Sequence, residues 1–529
     1  MEEKYYLTVS RASDLKNKGE RRLYRFFEML PGILSLGALA AAVVASWLFP
    51  VGAAFFILTF IIYWLFRNIY FALHLQTGYR RMKKYERIDW LQRLQNIQIW
   101  DSKLSIKKWQ DIYHLIVIPT YKESVDILRE TIMSLRNSDY PKNRMIVVLA
   151  IEEREGEDGK KKADLIEKEF SSDFFRFLVT SHPKDIIGET AGKGSNETWA
   201  LKQAKKKIVD KLSLPYPSII VSSLDADTTV FPKYLSCLAY HYLTSPDPLH
   251  SSFQPIPLFL NNIWQAPAIS RVFAFSTSFW YIMNQERPEK LVTFSSHSMS
   301  FQALVDVGFK QTNVVSDDSR IFWQCFLKYD GNYRVQPLYY PVSMDANVAS
   351  SFWGTLGQIY KQQRRWAYGV ADVPYFLFGF WKNKKIPLRR KLTFAWELLE
   401  GHWSWAVAPI LIFLLGWMPL VFGGETFSQS LLSYNLPRFV SRILTISMLG
   451  ILGVIYVSLV ILPPRPPSFG KRKTAMLVLQ WFFLPVSMIF LSFPALEAQI
   501  RLLLGRYMGF WVTPKFRRNS ESKGGVGRK

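Results

Sequence analysis

The sequence predicts an α/β domain with a mostly parallel sheet, carried between apolar segments long enough to cross a membrane. Three observations lead there. Short β-branched runs alternate with helical stretches from residue 113 to residue 345. Strand and helix alternation of this kind gives a parallel sheet with helices on both faces. One run, Ile219-Ile-Val221, turns abruptly polar at Asp225 and Asp227, which sets two carboxylates at the strand edge where open α/β sheets bind ligands. Finally, no charged residue occurs from Met29 to Phe66. That run accommodates two spans of about 20 residues, joined by a turn at Pro50-Val-Gly52.

The apolar hairpin is not a cleaved leader, because it has two blocks and no small-residue cleavage pattern follows a single short one. Aromatic residues make up 16% of the 529-residue chain and agree with lipid contact. The net charge of +24 invites a nucleic-acid reading, but its placement argues against one. Lys16, Lys18, Arg21, Arg22 and Arg25 precede the hairpin, Arg80, Arg81, Lys83 and Lys84 follow it, and Lys382 to Lys391 flanks a later span. Such a bias marks the cytoplasmic side of a plasma-membrane protein. Two cysteines, Cys237 and Cys325, lack metal-like or redox-like neighbours, which disfavours a disulfide framework or a zinc site.

In chain order, residues 1–28 read as a basic cytoplasmic N-terminus, 29–72 as the transmembrane hairpin and 73–112 as a membrane-surface linker. Strands are expected at Leu115–Ile118, at Met145–Ile151 ending in Glu152 and Glu153, and near Phe177–Val179, with the Ile219 run as the central one. Arg154–Lys162 reads as an exposed loop, and helices are expected through Ile166, over Asn196–Lys207 and over Phe231–Thr244. Residues 245–300, rich in Pro, Ser and aromatics, read as irregular walls of a cleft. Tyr360–Tyr368 and Tyr375–Trp381 read as helices lying on the membrane surface. Residues 346–391 thus form an interface region, 392–500 a second membrane region with apolar segments at 401–422, 443–462 and 474–496, and 501–529 a terminal segment with a basic tail.

Several residues suggest chemistry. Asp225 and Asp227 can hold a hard divalent cation through oxygen ligands, although a turn with two solvated aspartates fits the spacing equally. Gly188–Asn196, which includes Lys193, can wrap backbone amides around an anion or be an ordinary loop. Asp317 and Asp318 begin an apolar helix, where they serve either the helix dipole or a reaction.

Four motifs then resemble a membrane-embedded family 2 glycosyltransferase of the processive kind that includes cellulose synthase: Val117-Ile-Pro-Thr-Tyr-Lys-Glu123, Leu224-Asp-Ala-Asp-Thr228, Gln362-Gln-Arg-Arg-Trp366 and Phe510-Trp-Val-Thr-Pro-Lys515. The likeness implies an α/β GT-A (Rossmann-like) domain at residues 113–345 embedded between transmembrane helices. It implies an inverting, metal-dependent enzyme that moves a hexose from a UDP-linked nucleotide sugar to a growing polysaccharide, with export attached. Transfer of one sugar to a lipid carrier or glycolipid acceptor is the first alternative, and a non-enzymatic transporter or scaffold the second. Asp225 and Asp227 would hold Mg2+ or Mn2+, with Asp227 the closer ligand. Asp318 would be the catalytic base beside Asp317, which stands where the family has Glu. Thr120, Glu123, Glu152, Lys193, Asp225, Gln362, Gln363, Arg365, Trp366, Thr513 and Lys515 would bind substrate. Glu152 and Glu153 stand where the family has paired aspartates of the nucleotide pocket, and His297 either lines the acceptor site or is an internally bonded structural histidine.

The likeness also raises a counting problem. A full crossing at 474–496 carries the Phe510–Lys515 motif away from the catalytic domain and takes Arg501, Arg506, Arg517 and Arg518 with it. Pro485 and Pro494 therefore lead to the expectation of a re-entrant or steeply bent segment there, with the C-terminus cytoplasmic.

Overall fold

The computed structural model describes residues 4–98, 104, 106–467 and 469–514. Eight strands of these residues form one mixed sheet in the order β3-β2-β1-β4-β7-β6-β8-β5. The strands are β1 (Tyr113–Pro119), β2 (Met145–Glu152), β3 (Arg176–His182), β4 (Ile219–Ser223), β5 (Thr229–Val230), β6 (Ser251–Leu258), β7 (Ser298–Ser300) and β8 (Arg334–Ser343). β1 pairs in parallel with β2 and β4, and β2 with β3, whereas β7 runs antiparallel to both β4 and β6. In register, Pro119 lies beside Ala150 and Val117 beside Ser223, so Thr120, Glu152 and Asp225 leave the sheet at one edge.

Alternation along each strand divides two cores. Leu115, Val117, Ile146, Val148, Ile219 and Val221 face one, and Ile116, Ile118, Val147, Leu149 and Ile220 face the other. Each such side chain, fully buried, contributes about 1.5–3 kcal/mol, so burial on both faces fixes the register. The first core also takes in Tyr6, Leu7, Val9 and Ala12. Lys4 Nζ bonds Leu327 O at 3.0 Å, and the Tyr375 hydroxyl bonds Leu7 O at 3.1 Å. The N-terminal segment is thus folded onto the α/β domain.

Several elements depart from expectation. Arg154–Lys162 is no loop throughout, because a helix runs over Glu157–Phe170. Residues 245–300 hold β6, β7 and the helix Ala268–Gln285. The second hairpin helix continues unbroken to Arg87, with Leu75, Tyr79 and Met82 buried, so no linker begins at residue 73. Gly78 packs so tightly there that a Cβ would come within 2.6 Å of Ile282 O. The Asp372–Lys382 helix buries Val373, Tyr375, Phe376, Phe378 and Phe380 in the first core instead of lying on a membrane surface.

Four helices among the described residues are long and apolar enough to cross a membrane: Lys18–Leu48, Pro50–Arg87, Leu431–Ile461 and Thr474–Leu503. The pair Leu388–Phe413 and Leu415–Phe422, bent by 46°, makes a fifth if it counts as one span. The sharp bend therefore falls there and not at 474–496, where the helix runs on through Pro494 and only a 3-10 turn, Gln480–Phe483, precedes Pro485. Thr474–Leu503 packs against the α/β domain near one end and against the first long helix at the other. Gln480 accepts a 2.9 Å bond from Arg271, Trp481 lies among Phe275 and Phe279, and at the far end Arg25 donates to Leu502 O at 2.8 Å.

Candidate active site

β4 delivers the Asp225 turn to the sheet edge, where Leu224 N bonds Val117 O at 3.1 Å and Thr228 N closes onto Asp225 O at 2.9 Å. Asp225 Oδ1 accepts from Lys193 Nζ at 2.6 Å and Oδ2 from Ser295 Oγ at 2.7 Å. Asp227 is buried, and its Oδ2 accepts the Asp345 N–H at 3.0 Å. Asn261 Nδ2 ties the two together, with Asp227 O at 2.8 Å and Asp345 Oδ1 at 3.1 Å.

Lys193 is the first residue of the helix Lys193–Ala204, and its ammonium also reaches both oxygens of Asp318, at 2.9 and 3.1 Å. A second ammonium, Lys310, lies 3.2 Å from Asp318 Oδ1, 3.4 Å from Asp317 Oδ2 and 2.5 Å from Glu197 Oε2. Glu197, Asp317 and Asp318 come close enough to share a cation; the cation they share in this structure is Lys310.

The environment splits the acid pair. Burial, aided by the charge of Asp318, pushes Asp317 up to about 7. Burial acts the same way on Asp318, but the Lys193 and Lys310 ammoniums outweigh it and hold that carboxylate far below the usual range. His297 is buried with Nδ1 on Phe294 O at 2.8 Å and 3.8 Å from Asp318; burial, then Lys310, drives it down to about 3, so it is neutral. That is an internally bonded histidine which also touches the site.

At the β1 and β2 ends, Glu123 Oε2 accepts from Thr120 Oγ1 at 2.9 Å and from Tyr121 N at 2.6 Å. Glu152 accepts two bonds from Arg154, whose guanidinium lies 4.0 Å from the Tyr121 ring centre. Glu153 turns away to accept from Lys184 N. Above the edge, Ser351 caps the helix Phe352–Ala367 through Gly354 N. Gln362 Oε1 accepts from Asn347 Nδ2 at 2.7 Å, Gln363 is buried, and Trp366 lines a groove with Gln362, Asp345 and Phe259. Arg365 lies 4.8 Å from the Phe510 ring centre. Phe510 also lies against Gly192, where a Cβ would be 2.6 Å from its Cγ. Thr513 is buried, and Lys515 lies outside the described residues.

Lys193 therefore bridges Asp225 and Asp318 at this edge, and Arg365 lies near enough to feel the charges of Asp225, Asp317 and Asp318. Sequence reasoning missed Glu197, Lys310, Ser295 as a ligand of Asp225, Asp345 and Arg154. Glu197 had a signal, since it stands four residues after Lys193 on one helical face. Lys310 had none, because Glu197 and Ser223, which hold its ammonium, are distant in sequence.

Carboxylates and ammoniums thus gather at the strand ends of an open α/β sheet, flanked by helices long and apolar enough to cross a membrane. Residues 220–493 match the family described as "Glycosyl transferase family group 2". The chain belongs to that family and is a glycosyltransferase. Over 335 residues it is 25% identical to the poly-beta-1,6-N-acetyl-D-glucosamine synthase of Staphylococcus aureus strains MSSA476 and MW2, covering 62% of this chain and 67% of that protein. Among solved structures it is similar to the mannosyltransferase PcManGT from Pyrobaculum calidifontis in complex with GDP-Man and Mn2+ (13% identity, TM-score 0.44, covering 85% of this chain and 100% of that one). It is also similar to S. aureus TarS 1–349 in complex with UDP-GlcNAc (12% identity, TM-score 0.35, covering 75% and 93%).

Proposed function

We propose that the protein is an inverting glycosyltransferase which extends a polysaccharide from a UDP-linked hexose and passes the product between its membrane helices. The observation that carries this is the Lys193 ammonium shared between Asp225 and Asp318 at the C-terminal edge of β4. A diphosphate entering beside Asp225 competes for that ammonium, and Arg365 offers a planar fork to the same oxygens. Asp318, relieved of one cation, takes the proton of an acceptor hydroxyl. The hydroxyl oxygen bonds the anomeric carbon from the face opposite the diphosphate, whose bond to that carbon breaks, so the configuration inverts. Trp366 presents a flat face to the acceptor sugar.

The donor set also suits a divalent cation, since Asp225 and the buried Asp227 offer hard carboxylate oxygens, with Asp345 held beside them. Mg2+ or Mn2+ on Asp225 and Asp227 would offset the charge growing on the leaving diphosphate. The catalytic domain and the C-terminus would both be cytoplasmic, in a plasma membrane.

N-acetylglucosamine is the first sugar to try, given the synthase relative. Purified protein in lipid is offered a panel of radiolabelled nucleotide sugars, including UDP-N-acetylglucosamine, and the products are sized. Long chains from one UDP-sugar support the proposal; a product with a single added sugar on lipid supports the non-processive alternative instead.

A further inference from the structure

Lys310 takes no part in the chemistry above, yet its side chain is only 2% exposed and lies at the centre of the acid cluster. Its ammonium joins Glu197 at 2.5 Å, Ser223 Oγ at 3.0 Å and Asp318 Oδ1 at 3.2 Å, linking the helix Lys193–Ala204, the end of β4 and the helix Asp317–Lys328. Neighbours hold its main chain. Thr198 Oγ1 donates to Lys310 O at 2.9 Å, and the next residue, Gln311, receives Arg320 Nη1 on its side chain at 2.9 Å and donates from its main chain to Gln324.

A buried ion pair is a poor way to gain stability, because an apolar pair of similar volume avoids the desolvation cost. What the pair does achieve is direction: Glu197, itself held by Ser223 Oγ at 2.6 Å, anchors the ammonium and aims its remaining protons at the acid pair. Lys193 and Lys310 therefore differ in kind. Lys193 also binds Asp225, where the diphosphate is to arrive, whereas Lys310 is enclosed by Glu197, Ser223 and the acids.

We propose that Lys310, anchored by Glu197, is a positioning residue that keeps Asp318 oriented toward the acceptor after Lys193 has turned to the donor diphosphate. The proposal rests on Asp318 being the base.

Lys310→Met, the double variant Lys310→Met/Glu197→Gln, Glu197→Gln and Asp318→Asn are compared with wild type as full-length protein in lipid, with UDP-N-acetylglucosamine as donor and UDP as binding probe. The double variant removes both charges, so it stays folded even where Lys310→Met alone leaves Glu197 stranded. Its kcat is expected to fall by about 100-fold, the scale of a misplaced catalytic group, with donor KM and UDP affinity unchanged. Wild-type kcat in the double variant overturns the proposal. So does a joint loss of kcat, KM and UDP affinity, or a double variant that unfolds where Glu197→Gln does not. Asp318→Asn with wild-type turnover removes the base assignment itself, whereas an inactive Asp318→Asn beside a fully active double variant overturns the role of Lys310 alone.

Discussion

Gly192→Ala tests whether the C-terminal segment closes over the site. Gly192 has an extended φ of 164°, which alanine adopts without strain, so the substitution acts through space alone. Its new methyl would stand 2.6 Å from Phe510 Cγ and 2.8 Å from Phe510 Cβ. Carbon atoms settle at about 3.5–4.0 Å, so the ring has to withdraw by roughly 1 Å. Withdrawal takes it off the Arg365 guanidinium, now 4.8 Å away. That contact is worth about 0.5–2 kcal/mol, or about 2- to 30-fold in the closed population. Donor kcat/KM of the reconstituted enzyme should fall within that range, and a cysteine at Thr513 should become more reactive toward a thiol reagent. Gly509→Ala, which meets no atom within 4 Å, is the control. Wild-type kcat/KM and unchanged Thr513→Cys reactivity in the Gly192→Ala background would refute the closure.

Three further outcomes are expected. Asp227→Asn should abolish turnover while leaving the protein folded, and excess EDTA should do the same to wild type; full activity in either case removes the metal assignment. Asp317, raised by burial to about 7 from an ordinary 3.8, favours the folded state when protonated, so its contribution to stability is complete below about pH 4 and declines until about pH 7. The Tm of wild type should therefore drop relative to Asp317→Asn across that window, and a constant difference between the two contradicts the shift. With the buried Cys237 and Cys325 replaced, a cysteine at Ser520 should resist an impermeant reagent in intact cells and react after permeabilisation; labelling without permeabilisation contradicts a cytoplasmic C-terminus.

The sequence displayed the sheet where burial is two-sided. β1, β2 and β4 each carry a continuous apolar run, Leu115–Ile118, Met145–Ile151 and Ile219–Val221, and the polar residues that follow include Thr120, Glu152 and Asp225. β6 was hidden because Pro255 and Pro257 lie within it, and proline removes a ladder donor. The sheet accommodates them by a register shift between Gln254 and Ile256 where β6 meets β8. The Ala268–Gln285 helix was hidden because it is apolar on several faces, packed both against β6 and against the long Pro50–Arg87 helix, and shows no clean stripe. In the site, Asp225 and Asp318 could be singled out from their local motifs, and the fold brings both to Lys193. Lys310 could not, since only the fold brings it to Glu197, more than a hundred residues away. At 474–496 the two prolines suggested a bend, but Pro494 stays helical, and the 46° bend lies instead between Leu388–Phe413 and Leu415–Phe422.

In the proposed reaction Asp318 removes the acceptor proton at a donor site built on Asp225. Transfer from radiolabelled UDP-N-acetylglucosamine by Asp318→Asn, measured beside Asp317→Asn and wild type with UDP affinity determined on the same preparations, tests it directly. UDP binding should stay intact and transfer should fall by about 100-fold or more in Asp318→Asn, the scale of a missing general base, with a milder loss in Asp317→Asn. Undiminished transfer by Asp318→Asn, or the larger loss in Asp317→Asn, would contradict it.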